Sequence, residues 1–233
     1  EPELMHGNLV PRAAHLFRQR AGISAGARIH LEKRIPWAAG LGSGSSDAAA
    51  TLLGLNRMWD LRLTASELVT IGAGLGSDVP LFIQGGTVMM TGRGEQVEAM
   101  PDHPTMQVLL LLPQLQVPGQ KTGMLYGKLT PDVFTTGQFV RAARFSLEHG
   151  RRIPEDLMFN VFEKVAEDVF YGIGRERDAL QEATGVRAHL AGSGPALFVL
   201  LESQSAADKA AARLQNQGRI AVRAQTVVAR TTP

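Results

Sequence analysis

The sequence predicts an α+β protein with two domains, and three observations support this. Apolar residues recur at helical spacing between Ala48 and Trp59, on one face of a helix. Two short strand-like segments follow near the middle of the chain, as in a hairpin. In the second half, strand-like and helical segments alternate in an order that is typical of an antiparallel sheet with helices on one face, the ferredoxin-like arrangement.

The first half is predicted to be mainly helical. Residues 28–33 alternate polar and apolar side chains, the pattern of a half-buried strand. Thr64, followed by Glu67 three positions later, is a capping box that starts a short helix. The predicted elements are helices at residues 8–21, 46–59 and 64–73, the strand at 28–33, and paired strands at 87–91 and 96–100.

A proline-containing segment at residues 101–104 is the predicted domain boundary, which gives domains at residues 1–100 and 101–233. The second domain has its own series of segments. We expect strands at residues 107–112, 187–190, 197–201 and 221–228, and helices at 137–148, 160–170, 175–184 and 206–217.

The most informative segment is a glycine- and serine-rich loop that leads into the helix at residues 46–59. Gly40, Gly42 and Gly44 lack a Cβ atom, so they can adopt positive φ and let a ligand approach the backbone. The free N–H groups of the first helical turn would then face that ligand, and a polyphosphate suits such a site. Ser45 and Ser46 can cap the helix, or offer hydroxyls to a phosphate or its metal ion. A capped helix after a flexible loop is the alternative.

Two common phosphate-binding motifs do not fit this loop. A Walker A motif requires a lysine after its last glycine, and Lys121 lies elsewhere without the leading glycine. A dinucleotide-binding fingerprint requires Gly-x-Gly-x-x-Gly and an acidic residue that contacts the ribose, whereas the spacing here is Gly-x-Gly-x-Gly. The sequence therefore indicates neither a P-loop NTPase nor a Rossmann dinucleotide site.

The loop resembles the Pro-x-x-x-Gly-Leu-Gly-Ser-Ser-Ser-Ala signature of the GHMP kinases. Residues 76–82, Gly-Ser-Asp-Val-Pro-Leu-Phe, are similar to a Gly-Ala-Asp-Val-Pro-x-Phe segment of the subfamily that acts on a cytidine diphosphate-linked methylerythritol. Residues 8–14 resemble the helix start of that subfamily, and residues 190–198 resemble the third family motif. Four motifs in the family order are more specific than any one of them.

This resemblance implies a fold, an activity and a set of site residues. The implied fold is the GHMP kinase fold, with a truncated N-terminal nucleotide domain like ribosomal protein S5 and a ferredoxin-like C-terminal domain. The implied activity is ATP-dependent phosphorylation of the 2-hydroxyl of the substrate, with Mg²⁺ bound to ATP, in the cytoplasmic non-mevalonate isoprenoid pathway. The residues that would surround ATP are Asn8, Lys33, Pro36, Trp37, Ala38, Ala39, Gly40, Leu41, Gly42, Ser43, Gly44, Ser45 and Ser46.

Asp78 is the residue that the resemblance assigns as the catalytic base, beside the substrate hydroxyl. A carboxylate within hydrogen-bond reach can accept the proton of an alcohol while the new bond to phosphorus forms. The alternative is a turn aspartate before Val79 and Pro80.

Some features stay open at the level of sequence. The segment Gly192–Ser193–Gly194 is either a tight turn or a neighbour of the phosphate loop, Asn160 and Glu163 form a cap or a family pair, and Trp37 shapes the nucleotide pocket or only packs. The family's N-terminal Pro-x-Lys-x-Asn and Gly-Tyr-His segments do not occur in this sequence. A fragment, a non-catalytic nucleotide-binding homologue and another GHMP kinase are therefore the alternatives.

Composition restricts the class of partner. The 233 residues include no cysteine, so there is neither a disulfide nor a thiolate metal site, and the six histidines show no metal-binding spacing. The net charge is +2 and the basic residues are dispersed, which disfavours nucleic acid as a ligand. The longest aliphatic run, at residues 108–112, is too short to cross a membrane. A small-molecule substrate is what the family resemblance implies, with neither nucleic acid nor a membrane expected as a partner, and the oligomeric state stays open.

Overall fold

The computed structural model describes residues 7–228 of the chain. These residues fall into two compact units. The first unit comprises residues 7–37 and 42–102, and the second comprises residues 38–41 and 103–228. Within the described range, no helix is long and apolar enough to cross a membrane.

The first unit consists of four helices and a β-hairpin. Its elements are α1 (Leu9–Ala21), α2 (Ser43–Met58), α3 (Ala65–Ala73), α4 (Val79–Gln84), β1 (Val88–Thr91) and β2 (Gln96–Ala99). Asn8 caps α1 by accepting a hydrogen bond from the Val10 N–H, and the predicted capping box of Thr64 and Glu67 is present at α3. The buried face of α2, which includes Ala48 and Leu52, packs on α1 because its apolar residues recur at helical spacing.

The structure corrects the prediction in two places of this unit. Residues 28–33 form no strand, and Ile29 and Leu31 remain partly exposed. Alternation favours an extended backbone, but a strand also requires a partner for its backbone groups, and no strand of the described range pairs with this segment. Helix α4 was not predicted, because Val79–Pro80 suggests a turn. Proline is nevertheless compatible with the first turn of a helix, where its missing N–H has no intrahelical acceptor.

The second unit contains a four-stranded sheet with helices. Its elements are β3 (Gln107–Leu112), α5 (Lys121–Lys128), α6 (Gln138–Glu148), α7 (Ile173–Thr184), β4 (His189–Leu190), β5 (Leu197–Leu201), α8 (Gln204–Asn216) and β6 (Ile220–Gln225). The strand order is β4–β5–β3–β6, and each neighbouring pair is antiparallel. Leu109 lies opposite Val199 on one side and Arg223 on the other. This is the predicted ferredoxin-like arrangement.

Alternation along the strands builds the core of this unit. Leu109 and Leu111 of β3 and Val199 of β5 are fully buried, and α7 and α8 pack on the sheet. The predicted helix at residues 160–170 is wrong, because only Val161–Lys164 forms a short 3₁₀ helix. Tertiary hydrogen bonds attach this segment to distant backbone: Asn160 Nδ2 donates to the carbonyls of Leu190 and Gly192, and the Glu163 carboxylate accepts from the Leu190 N–H.

Candidate functional site

The glycine- and serine-rich loop at residues 36–46, named the phosphate loop below after its predicted role, leads into α2, which begins at Ser43, three residues earlier than predicted. Gly42 is the N-cap residue, with a φ of 65°, and no side chain caps the helix. The first intrahelical hydrogen bond runs from the Ser46 N–H to the Gly42 carbonyl, at 2.9 Å. The N–H groups of Ser43, Gly44 and Ser45 precede that bond and have no acceptor inside the helix. This backbone arrangement can bind an anion.

Of the three glycines in the loop, only two have the predicted positive φ. Gly40 and Gly42 have φ values of 83° and 65°, whereas Gly44 lies inside α2 and keeps a helical backbone. Ala38 also has a left-handed backbone, with a φ of 57°. The loop therefore turns at residues 38, 40 and 42, before the helix begins.

The sequence allowed a capping role for Ser45 and Ser46, but no side chain caps α2. The hydroxyls of Ser43 and Ser46 bind the backbone instead. Ser46 Oγ donates to the Ser43 carbonyl at 2.9 Å. Ser43 is buried, and its Oγ donates to the Pro36 carbonyl at 3.5 Å. Asp47 lies beyond the first turn of the helix and forms an ion pair with Lys33. The ion pair holds the Lys33 side chain beside α2.

Asp78 immediately precedes α4, which packs on α2. A Cβ atom added at Gly42 would lie 2.8 Å from the Phe82 ring, so the phenyl group of α4 contacts the start of α2 directly. On the other side, a Cβ atom at Gly94 in the β1–β2 turn would lie 2.4 Å from the Ser77 carbonyl oxygen. Ser77 and Phe82, on either side of Asp78 along the chain, thus pack closely against neighbours, while Asp78 itself is exposed and its side chain caps no helix. An exposed, uncommitted carboxylate is available to a substrate.

A cavity of about 900 Å³ in the first unit brings together four of the predicted nucleotide residues, namely Asn8, Lys33, Trp37 and Gly44. The Trp37 side chain lines this cavity and is 80% exposed, which favours the pocket over a packing role. Its volume is within the range of small-molecule sites. Further lining residues were not predicted from the sequence: His15, Arg18 and Trp59. His15 and Arg18 follow Asn8 at helical spacing on α1, which is the signal that could have identified them.

In the second unit, residues 38–41 lie against the Gly192–Ser193–Gly194 turn. The Ala39 carbonyl accepts a hydrogen bond from the Ala196 N–H at 3.0 Å. A Cβ atom at Gly40 would lie 2.2 Å from the Ala191 oxygen and 2.6 Å from the Gly194 nitrogen, and one at Gly192 would lie 2.9 Å from the Gly40 oxygen. The segment is therefore both a turn and a neighbour of the phosphate loop.

Lys121, the first residue of α5, is a buried lysine that contacts the same turn. Its Nζ donates to the Ser193 carbonyl at 2.9 Å, to Ser193 Oγ at 2.8 Å, and to the Gly194 carbonyl. The neighbouring Thr122 Oγ1 hydrogen-bonds to Ser193 Oγ at 3.1 Å. Burial lowers the pKa of Lys121 to about 8. The sequence excludes Lys121 from a Walker A motif and contains no other local signal of a role for it.

A second cavity, of about 780 Å³, lies in the second unit beside Asn160 and Glu163. Burial raises the pKa of Glu163, but the His189 imidazole, the Leu190 N–H and Arg187 outweigh it and leave the pKa below its ordinary value. Asn160 caps the 3₁₀ helix by accepting from the Phe162 N–H, and the Glu163 carboxylate accepts from the Leu190 N–H of β4. The predicted cap is confirmed, and a family role of the pair stays a prediction.

Comparison with known proteins identifies relatives of both halves of the chain. The GHMP kinases N terminal domain matches residues 8–86, and the GHMP kinases C terminal domain matches residues 145–220. The 4-diphosphocytidyl-2-C-methyl-D-erythritol kinase of Dehalococcoides mccartyi is 44% identical over 202 residues, which are 87% of this chain and 71% of that protein.

Solved structures agree in fold. A crystal structure of 4-(cytidine 5′-diphospho)-2C-methyl-D-erythritol kinase superposes with a TM-score of 0.77 at 34% identity, over 94% of this chain and 78% of the other. Homoserine kinase from Cytophaga hutchinsonii shares the fold at 20% identity, with a TM-score of 0.76 over 95% of this chain and 76% of its own. The chain belongs to the GHMP kinase family.

Proposed function

We propose that this protein is an ATP-dependent kinase that phosphorylates the 2-hydroxyl of 4-diphosphocytidyl-2-C-methyl-D-erythritol. The observation that carries the proposal is the uncapped start of α2, with Asp78 at the start of the helix packed beside it. The substrate is proposed from the relatives at 34–44% identity, whose names state it. In this proposal residues 1–100 form the ATP-binding domain and residues 101–233 form the C-terminal domain. Its expected location in the cytoplasm stays a prediction.

ATP would bind with its phosphates at the start of α2. The N–H groups of Ser43, Gly44 and Ser45 supply donors without reorganisation, and the helix dipole favours the negative charge. The cavity lined by Asn8, Lys33 and Trp37 would take the nucleoside. An exposed indole ring such as Trp37 offers a flat apolar surface on which a base can stack.

Mg²⁺ would enter with ATP, held chiefly by the phosphate oxygens, as is usual for this ion. The Ser45 and Ser46 hydroxyls lie at the same helix start, and Ser46 donates its hydrogen to a carbonyl, which leaves its oxygen lone pairs able to face a cation. The ion would neutralise charge on the phosphates during transfer.

Asp78 would act as the base toward the substrate. Its carboxylate accepts the proton of the 2-hydroxyl while that oxygen bonds to the γ-phosphorus of ATP. The bond between the γ-phosphorus and the bridging β–γ oxygen breaks, and ADP leaves with the electron pair. Most of the rate enhancement in such a reaction comes from positioning and charge stabilisation, so the base contributes only part of it.

The first test is ADP release by the purified chain with Mg-ATP and the proposed substrate, compared with Asp78→Asn. We expect the variant to lose about 10²–10⁴-fold in kcat, the usual contribution of a general base. The affinity for the non-hydrolysable analogue AMPPNP, measured by calorimetry, should stay unchanged. Asp132→Asn, which alters an exposed carboxylate in the second unit, is the matched control and should retain full activity.

Homoserine and phosphomevalonate serve as alternative acceptors in the same assay. Faster turnover of either acceptor would indicate that the protein is another kinase of the GHMP family. AMPPNP binding without turnover of any acceptor would indicate the non-catalytic alternative, and failure to bind AMPPNP would contradict the nucleotide site itself.

A further inference from the structure

The hydrogen bonds of Lys121 are unusual for a lysine in a helix. Its side chain is buried, and its three ammonium hydrogens match three acceptors, two carbonyls and one hydroxyl, all within the turn at residues 193–194. No carboxylate of the described residues pairs with it. Burial of a charge without a counter-ion is costly, so a lysine that is retained in such a place is a candidate for a functional role.

The turn that Lys121 binds is in direct contact with the phosphate loop. Gly40 lies so close to Ala191 and Gly194 that no side chain fits between them, and the Ala39 carbonyl accepts a hydrogen bond from Ala196. Gly40 itself lies two residues before Gly42, the N-cap of α2. The backbone of residues 38–41 therefore keeps these contacts only if the turn keeps its conformation.

We propose that Lys121 is a positioning residue for phosphoryl transfer, which holds the Ser193–Gly194 turn in the conformation that orders residues 38–41 of the phosphate loop. The inference rests on the proposed function, since it assigns ATP to this loop. Lys121 acts through the turn and need not contact the nucleotide. Thr122 assists by hydrogen bonding to Ser193 Oγ.

The protonation state of Lys121 provides a test that a purely structural lysine would not pass. An ammonium group has three hydrogens, whereas the neutral amine has two, so one of the three hydrogen bonds is lost as the pH rises through about 8. The free energy of unfolding should change in the opposite direction, rising with pH while the affinity for AMPPNP falls. Because the pKa is lowered from 10.5 on folding, the unfolded chain binds more protons between pH 8 and 10.5, and this residue makes the fold more stable as the pH rises there.

The experiment measures the Kd of AMPPNP by calorimetry between pH 7.5 and 9.5, on the wild-type chain, Lys121→Met and Lys128→Met. Lys128 is an exposed lysine of the same helix and serves as the matched control. Lys121→Met removes all three hydrogen bonds to the turn, and we expect it to weaken AMPPNP binding by at least about tenfold at pH 7.5. Wild type and Lys128→Met should lose affinity severalfold as the pH rises, and Lys121→Met should show a flat profile.

Thermal unfolding of each protein accompanies the binding measurement. Reduced stability of Lys121→Met with unchanged AMPPNP affinity, or an unchanged pH profile in that variant, would overturn the inference while leaving the proposed function intact. Wild-type protein that binds no AMPPNP would overturn both. If Lys121→Met does not fold, the pH profile of the wild type decides alone: affinity that does not fall through pH 8 would contradict the positioning role.

Discussion

At the scale of single residues, Gly40 is the position with the least room for change. A Cβ atom there would lie 2.2 Å from the Ala191 oxygen and within 2.9 Å of two backbone atoms of Gly194, and the φ of 83° disfavours any side chain. Backbone atoms cannot move aside as the end of a flexible side chain can. Position 40 therefore requires glycine for two reasons, namely the close approach of the backbone at residues 191–194 and the positive φ.

We expect Gly40→Ala to displace residues 38–41 and to weaken AMPPNP binding by at least about tenfold, the equivalent of roughly 1.4 kcal/mol. Calorimetry measures the affinity, and circular dichroism checks that the variant is folded. Gly119→Ala is the matched control, because a Cβ atom there meets nothing within 4 Å and its φ is not left-handed. Equal affinities of Gly40→Ala and wild type would show that the loop tolerates the displacement.

The site could be predicted from sequence where its chemistry depends on residue type in a short segment. Glycine's missing Cβ permits positive φ at Gly40, Gly42 and Gly44, and the first two adopt it whereas Gly44 is helical. Lys121 could not be found in this way, because its role depends on a contact with residues 72 and 73 positions further along the chain. Asp78 is placed at the start of an unpredicted helix, and its assignment as the base remains a proposal.

At the scale of elements, the predicted boundaries lie within three residues of the observed ones wherever the predicted type is right, and the errors concern which segments form elements at all. Helices α1 and α3 follow their caps, and α2 begins early because the glycine-rich stretch contributes its first turn in place of a loop. Segment 28–33 and residues 160–170 were predicted wrongly, since pairing partners and side-chain hydrogen bonds to distant backbone are not encoded in local spacing. The missed α5 contains two glycines in eight residues, which weakens its helix signal.

Two helical glycines of the first unit should respond to alanine in opposite ways. Gly54 in α2 is exposed and a Cβ atom there meets nothing within 4 Å, so Gly54→Ala should raise the free energy of unfolding by about 1 kcal/mol. Gly72 in α3 faces α4, where a Cβ atom would lie 2.7 Å from Ile83 and 2.9 Å from Val79. Gly72→Ala should lower the free energy of unfolding by about 1–3 kcal/mol through overpacking.

Urea unfolding of both variants and the wild type measures these changes. Because α4 follows Asp78 directly, a displaced α4 should also reduce ADP release by Gly72→Ala, whereas Gly54→Ala should keep wild-type activity. Stabilisation by Gly72→Ala would show that the α3–α4 contact relaxes without cost.

At the scale of the whole molecule, the described residues build two hydrophobic cores, one in each unit. The core of the second unit is built by alternating strand residues, which the sequence shows clearly, and its ferredoxin-like strand order follows from the order of the elements. The segment at residues 160–164 connects to this core by polar contacts. Glu163 is central there, since its carboxylate accepts from the Leu190 N–H of β4 and forms an ion pair with Arg187.

These contacts predict how acid affects the second unit. The pKa of Glu163 lies below its ordinary value of 4.5, because the contacts with His189, Leu190 and Arg187 outweigh burial, which acts in the opposite direction. A carboxylate with a lowered pKa in the folded state stabilises the fold above its unfolded pKa, and this contribution is lost as the pH falls through the folded pKa. Glu163→Gln should therefore be less stable than wild type at pH 7, and the difference should shrink as the pH falls below about 4.5.

Urea unfolding at pH 7, 5 and 3 measures that difference, with Glu182→Gln, an exposed residue of α7, as the control that should follow the wild type at each pH. Other carboxylates also protonate in this range, so the comparison between variant and wild type isolates Glu163. A destabilisation of Glu163→Gln that stays constant from pH 7 to pH 3 would contradict the prediction. It would mean that the shape of the side chain, and not its charge beside His189 and Arg187, attaches residues 160–164 to the sheet.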